Sequence, residues 1–308
     1  MDRLYCEGIE INQFIKNGML GSKEDISVPF NFENSEYTIK ISQFGFRTIT
    51  ISANKQQELD SFLSIFYLLE KLLMLMEGEF LEVKEYKIIS DEIETSKQTK
   101  DLFKNRLSLY ESADFTRGLH SKFVEYDSIL SEKILLSWIK ILDELDILHT
   151  VVLYSMADTK LPLDIKCAFF IESSESLSEL LEKQTDFKIE KDRGKKTLKN
   201  RLKAIIDMYG QEIFADELHT NEDKFLEVLV NSRNCIAHIK SNQKKVYLKG
   251  EEYLLYTIKF SYLYRHILLE LLGIDYELYK DKIIKSVVSS NNIGDNVHSN
   301  FIKKLEEL

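Results

Sequence analysis

The first fifty residues alternate apolar and polar side chains in the manner of strands. Tyr37-Thr-Ile-Lys-Ile and Thr48-Ile-Thr-Ile-Ser both repeat with period two, and Gln43-Phe-Gly-Phe-Arg lies between them. That pattern predicts a hairpin. Leu59–Met76 reads as a helix, and Phe80–Ile89 as a further strand, because Leu81, Val83 and Ile88 sit among charges. Ser90–Lys104 is polar and is either a loop or an exposed helix. Together these form a small α+β unit in which nothing resembles a catalytic motif.

From about Ser128 the apolar spacing turns helical. Ser128–Ala157 reads as one long helix around the single Trp138. Pro162 suits the first turn of the next helix, which runs to about Lys183. A charged connection, Asp186–Gly194, leads into Thr197–Tyr209, with Gly210 at a C′-like position. Asn221-Glu-Asp-Lys opens the following helix in capping style and carries it to about Lys240. Phe225, Leu229, Ser232, Ile236 and Ile239 recur along it at the spacing of a buried face. After a polar linker, Ser241–Gly250, a long helix covers Glu251–Leu272 and stops at Gly273. Four helices, 163–183, 196–209, 222–240 and 251–272, with short connections suggest a bundle. The tail after Ile274 adds one more helix, and Ser289–Asn300 reads as a loop. The expected class is therefore mainly α: a C-terminal four-helix bundle with a small N-terminal α+β domain. The expected division is 1–125, 126–275, and a C-terminal helix and tail over 276–308.

Composition agrees with a folded, helix-rich chain. It is 44% hydrophobic and 30% charged, with only 11 Gly and 2 Pro in 308 residues, so helix breakers are scarce. The net charge of -10 is uneven. Residues 1–150 carry 17 basic and 26 acidic side chains, and residues 151–308 carry 24 and 25. Phosphate backbones are repelled overall, so any nucleic acid must enter a local basic site, for which the C-terminal half is the better host. Cys6, Cys167 and Cys235 lie far apart and form no framework, which fits reduced thiols. The first residues lack the basic start and apolar run of a signal peptide. The longest apolar stretch, Phe62–Met76, is interrupted by Glu70 and Lys71 and is too short to span a bilayer. A cytoplasmic protein without a membrane partner is expected.

The chemistry concentrates in Arg233-Asn-Cys-Ile-Ala-His238. On a helix Asn234 and His238 lie one turn apart on one face, while Arg233 flanks them, roughly 140° round the axis from His238. A permanent cation, an amide and an ionisable imidazole thus converge beside an apolar stripe. The segment Val230-Asn-Ser-Arg-Asn-Cys-Ile-Ala-His resembles the HEPN superfamily, whose signature is Arg, four to six residues, then His. With Thr197-Leu-Lys-Asn-Arg-Leu-Lys-Ala-Ile-Ile-Asp-Met-Tyr-Gly before it and Leu248-Lys-Gly-Glu-Glu-Tyr-Leu-Leu after it, the region 130–275 is similar to the ApeA-type HEPN domain of bacterial anti-phage proteins. No residue of the N-terminal part is assigned from this likeness.

The resemblance implies a HEPN-like bundle and a metal-independent endoribonuclease, without cofactors, acting as a homodimer whose two motifs face each other. It also implies a role in anti-phage defence or as a toxin. Such chemistry suits these residues. The 2′-hydroxyl of RNA attacks the adjacent phosphorus, one imidazole takes its proton and another protonates the leaving 5′-oxygen. Arg233 is too basic to be the base; its planar fork binds phosphate oxygens and steadies the transition state. Asn234 orients His238 or holds a phosphate oxygen. An enzyme of this kind needs silencing, by a regulatory or antitoxin protein or by the acidic N-terminal domain. The plain alternative is that His238 caps a helix end and Arg233 pairs with Glu227 or Asp223. A second alternative is a HEPN bundle that has lost catalysis and serves as a dimerisation module or binds RNA or a partner.

Other candidates rank lower. Lys191, Arg193, Lys195, Lys196, Lys199, Arg201 and Lys203 form the densest basic run. Lys195 and Lys199 in it are candidate RNA contacts, though such a run is more often a solvated face. Lys240, Lys244 and Lys245 follow the motif directly and are better placed to bind RNA. Glu172 interrupts Ala168-Phe-Phe-Ile and could line the cleft, against the commoner reading of a carboxylate on a polar helix face. Cys235 and His238 lack the second pair that zinc needs. His120, His149, His219, His266 and His298 are scattered and read as structural or solvent-exposed. No P-loop, GxGxxG, GxSxG or HExxH pattern occurs. Tyr253, Tyr256, Tyr262 and Tyr264 read as packing residues of the last bundle helix.

Overall fold

In a computed structural model the protein is described over residues 4–14, 25–42, 47–78, 82–90, 122–156, 161–238 and 244–308. These residues divide into two compact units. The first holds the sheet, the first helix and Val124–Ile141; the second holds Lys122, Phe123 and Leu142–Leu308.

The first unit is built on an antiparallel sheet of β1 (Tyr5–Phe14), β2 (Ile26–Phe32), β3 (Ser35–Ser42), β4 (Arg47–Glu58) and β5 (Glu82–Ile89). Their order is β2-β3-β4-β1-β5. The two period-two runs do pair: Ile39 faces Ile51 and Ile41 faces Ile49, and β1 extends both rows with Ile9 and Ile11. Those isoleucines are buried because alternation sends every second side chain to one face, where α1 (Leu59–Glu77) covers them. Tyr37 meets Phe62 of α1 edge-on at 5.5 Å. Gly8 sits where β1 passes β4 so closely that a Cβ would lie 2.6 Å from the Ile51 carbonyl oxygen. The expected turn at Gln43–Phe46 and the segment 91–104 lie outside the described residues.

The expected helix over Ser128–Ala157 is two helices, α2 (Tyr126–Ile129) and α3 (Glu132–Met156). The chain breaks at Leu130, whose backbone is extended. In the first unit the indole N–H of Trp138 donates to the Leu68 carbonyl at 2.9 Å.

The bundle follows as α4 (Leu163–Gln184), α5 (Leu198–Tyr209), α6 (Ala215–His238) and α7 (Glu251–Leu271). Pro162 occupies the N-cap of α4. Thr197 caps α5 through a reciprocal capping box with Asn200. Gly210, expected just past the helix end, is the C-cap of α5, with φ -108°. Glycine fits there because a Cβ would meet Ile206 and Phe214 at 3.0–3.1 Å. Helix α6 begins earlier than expected and is kinked at Asn221, whose extended backbone (φ -165°, ψ 84°) splits it into two helical stretches. The Asn221 side chain accepts the Lys224 N–H at 3.3 Å, so the expected cap is real but lies inside a longer element. α7 is buried nearly all round from Leu255 to Leu269 and packs against α4 and α5.

After a 3-10 turn at Tyr276–Leu278 come α8 (Lys280–Asn291) and α9 (Val297–Glu306). The loop expected over Ser289–Asn300 is therefore largely helix, and only 292–296 lies between the two helices. Phe301 explains this. It is fully buried and meets Tyr256 at 4.9 Å and Phe225 at 6.4 Å, so tertiary packing overrides a serine- and asparagine-rich sequence. No helix among the described residues is long and apolar enough to cross a membrane.

Candidate functional site

The motif lies at the end of α6, where the helix leaves the core. Phe225, Leu229 and Ser232 are buried as the stripe requires. Arg233 to Ile236 are half-buried, and Ala237 and His238 are exposed. Ile239 and Lys240 lie outside the described residues. His238 ends the helix with its ring in solvent, and among the described residues it makes no hydrogen bond or ion pair.

Arg233 does not pair with Glu227 or Asp223. Those carboxylates are taken by Lys224 (3.1 Å) and Lys199 (2.6 Å). Its partner is Glu172 of α4, 61 residues away in sequence. Arg233 Nε donates to Glu172 Oε2, and Nη2 donates to Oε1 at 2.5 Å. The third nitrogen, Nη1, donates to Asn234 Oδ1 at 2.9 Å. The hydrogen bond to Glu172 pushes the guanidinium's pKa up further, so Arg233 is a fixed cation. With side-chain exposures of 21% and 41%, the pair stands at the protein surface. Asn234 thus contacts Arg233, and no hydrogen bond joins it to His238 among the described residues.

The segment after the motif is tied back onto α6. Ser232 Oγ accepts the Leu248 N–H at 2.8 Å while donating to the Val228 carbonyl at 2.7 Å. Asn231 Nδ2 reaches the Val246 carbonyl at 3.5 Å. From the far side, Lys304 of α9 donates to the Tyr247 carbonyl at 2.9 Å and to Glu252. Lys244 and Lys245 are exposed at the start of this pinned segment. Sequence reasoning missed the anchors. Ser232 shows only as a polar residue in an apolar stripe, and Lys304 gives no signal at all.

The basic run is mostly neutralised. Lys196 pairs with Glu182 at 2.5 Å, Lys199 with Asp223, Arg201 with Glu179 at 3.2 Å, and Lys203 with Glu222. Lys195 lies exposed in a tight turn whose backbone bonds join Asp192 and Lys195 at 2.9 Å. Nothing among the described residues bonds Lys195 or Lys199 to Arg233 or His238. A groove of about 400 Å³ beside this run is lined by Phe187, Lys188, Asn200, Asp207 and Met208, and it contains no residue of the motif.

Residues 163–278 match the family model described as Apea-like HEPN. This chain carries an Apea-like HEPN domain. The match spans α4 to the 3-10 turn and includes Glu172, Arg233, Asn234, His238, Lys244 and Lys245. No curated protein and no solved structure is similar enough to the chain to match it. Of the predicted site residues, the fold joins Arg233, Asn234 and Glu172 directly, while His238 is exposed and bonds to none of them. The four tyrosines of α7 behave as expected: Tyr256, Tyr262 and Tyr264 are buried, and Tyr253 is half-buried.

Proposed function

We propose that the HEPN domain is a metal-independent endoribonuclease, working as a homodimer in anti-phage defence or as a toxin. The observation that carries this reading is the placement, at the solvent-facing end of one helix, of an anchored guanidinium and, five residues on, an exposed imidazole with no hydrogen bond or ion pair among the described residues. Arg233 supplies a charge that no physiological pH removes and a planar fork suited to phosphate oxygens. His238 is exposed at the helix end, and an imidazole ring can accept a proton at one nitrogen and donate one from the other. The 2′-oxygen forms a bond to phosphorus as the 5′-oxygen leaves. One imidazole accepts the 2′-hydroxyl proton and the partner copy's imidazole protonates the 5′-oxygen. The products are a 2′,3′-cyclic phosphate and a 5′-hydroxyl. Lys244 and Lys245 guide the backbone toward the pair. The chemistry requires a 2′-hydroxyl, so DNA is not cut.

The test is purified protein with labelled RNA in excess EDTA. Cleavage should persist without metal and fall by about 10²- to 10⁴-fold in His238→Ala. Sedimentation of the same protein should give a dimer. Cleavage that needs a metal, or that survives the His238 substitution, overturns the reading. Binding without any cleavage identifies an RNA- or partner-binding module instead.

A further inference from the structure

Glu172 is an odd neighbour for a residue meant to hold an anion. A carboxylate beside Arg233 offsets the charge that would attract a phosphodiester. Exposed ion pairs add little to stability, so the pair is poorly explained as a fold-stabilising device. It also interrupts an apolar run, Ala168-Phe-Phe-Ile, in a helix whose next residue, Ser173, is buried.

The bonding pattern suggests what it does. A guanidinium has five N–H donors in one plane. Three are used: Nε and Nη2 both engage the Glu172 carboxylate, and Nη1 engages Asn234. Two remain, one on each terminal nitrogen. The carboxylate therefore takes the side of the fork nearest the chain, and both terminal nitrogens keep a donor for a further acceptor. An arginine side chain otherwise carries a large rotamer entropy that is lost on binding. Held from α4 and from its own helix neighbour, Arg233 has already lost it.

We propose that Glu172 is a positioning residue, which fixes Arg233 by the Nε and Nη2 side and aims the remaining donors of its terminal nitrogens at a phosphodiester. The proposal rests on the RNA reading of this site. Glu172 lowers the affinity for RNA and raises the fraction of bound RNA that is correctly held. Preorganised donors accelerate reactions because nothing has to rearrange in the transition state. Misplacement by about 1 Å is enough to cost on the order of 10²-fold in rate.

Affinity and turnover should then move in opposite directions. Glu172→Gln removes the opposing charge and one strong acceptor, so RNA should bind at least as tightly while kcat falls by about 10²-fold. Glu172→Asp keeps the charge and should recover part of the rate. A thermal melt checks that the half-exposed position tolerates both changes. Faster cleavage in Glu172→Gln would make Glu172 a brake and overturn the proposal, as would unchanged kcat. A second measurement does not depend on cleavage. The Arg233 Nε–H resonance is followed by NMR as a 2′-O-methyl RNA oligonucleotide is titrated. Persistence of its hydrogen-bonded shift and slow exchange in the complex supports positioning; loss of that signature on binding shows that RNA displaces Glu172 and refutes it. If the wild-type protein does not bind the oligonucleotide, both this proposal and the nuclease reading fail.

Discussion

Lys259→Met should unfold the HEPN domain far more readily than its single lost charge suggests. Lys259 and Glu217 are 1% and 0% exposed, with Nζ 2.6 Å from Oε1. The Tyr256 hydroxyl donates to the same oxygen at 2.9 Å, and Oε2 has no hydrogen-bond partner among the described residues. Burial alone would push the Glu217 carboxyl up, but the charge of Lys259, then the nearby His298 ring and the Lys259 hydrogen bond, pull it down to about 2. Burial also lowers the ammonium of Lys259, even with Glu217 beside it. Each ion is thus costly to bury, and the largest favourable charge on each is the other. Removing one strands a charge in the interior, which costs about 3–5 kcal/mol. For a unit of this size that is a fall in Tm on the order of 10 °C. Replacing both, Glu217→Leu with Lys259→Met, removes the stranded charge and should recover most of the loss. Circular dichroism melts of the three proteins make the comparison. A single variant that melts within about 2 °C of wild type, or a double variant as weak as the single, would refute the reasoning. Acid adds a second check. Because the folded carboxyl lies below its ordinary 4.5, its contribution is present above about pH 4.5 and is lost as pH falls toward 2. The double variant should lose that part of the acid transition.

Glu70 in α1 behaves oppositely. Burial pushes its carboxyl up to about 8, so the folded protein holds it protonated at neutral pH and the resulting penalty grows as pH rises from 4.5 through 8. Glu70→Gln should therefore be more stable than wild type by about 5 kcal/mol near pH 9, falling below about 1 kcal/mol near pH 5, by thermal melts. A gap that does not widen with pH would contradict the burial argument. Ser232→Ala leaves the Leu248 N–H without its acceptor, at about 1–3 kcal/mol. Hydrogen exchange at the Leu248 amide should accelerate, and unchanged protection would show that Ser232 is not the anchor.

Long helices were legible because their apolar spacing is regular and few breakers interrupt it. Hairpin residues in β3 and β4 announced themselves by strict alternation. The Arg233–His238 motif could be read directly, since its members are neighbours on one helix. Its electrostatic setting could not. Glu172 is 61 residues distant, and a lone carboxylate in an apolar run more often marks a polar face. Helix α9 was missed because local composition favours a loop, whereas the burial of Phe301 and His298 decides the outcome. Lys259, Arg265 and His266 show the same limit: their charge or polarity predicts exposure, yet all three are buried. His266 is even driven down to about 4 by burial, with its Nδ1 3.0 Å from the Tyr279 hydroxyl.

The clamp made by Lys304 gives the last helix an influence out of proportion to its size. One ammonium group bridges the Tyr247 carbonyl and the Glu252 carboxylate, more than fifty positions upstream, and so stitches α9 to the rim of the motif. Anything that pried α9 loose would slacken the chain on which Lys244 and Lys245 ride, without touching Arg233 or His238. The rim and the motif are thereby separable handles on the same helix end.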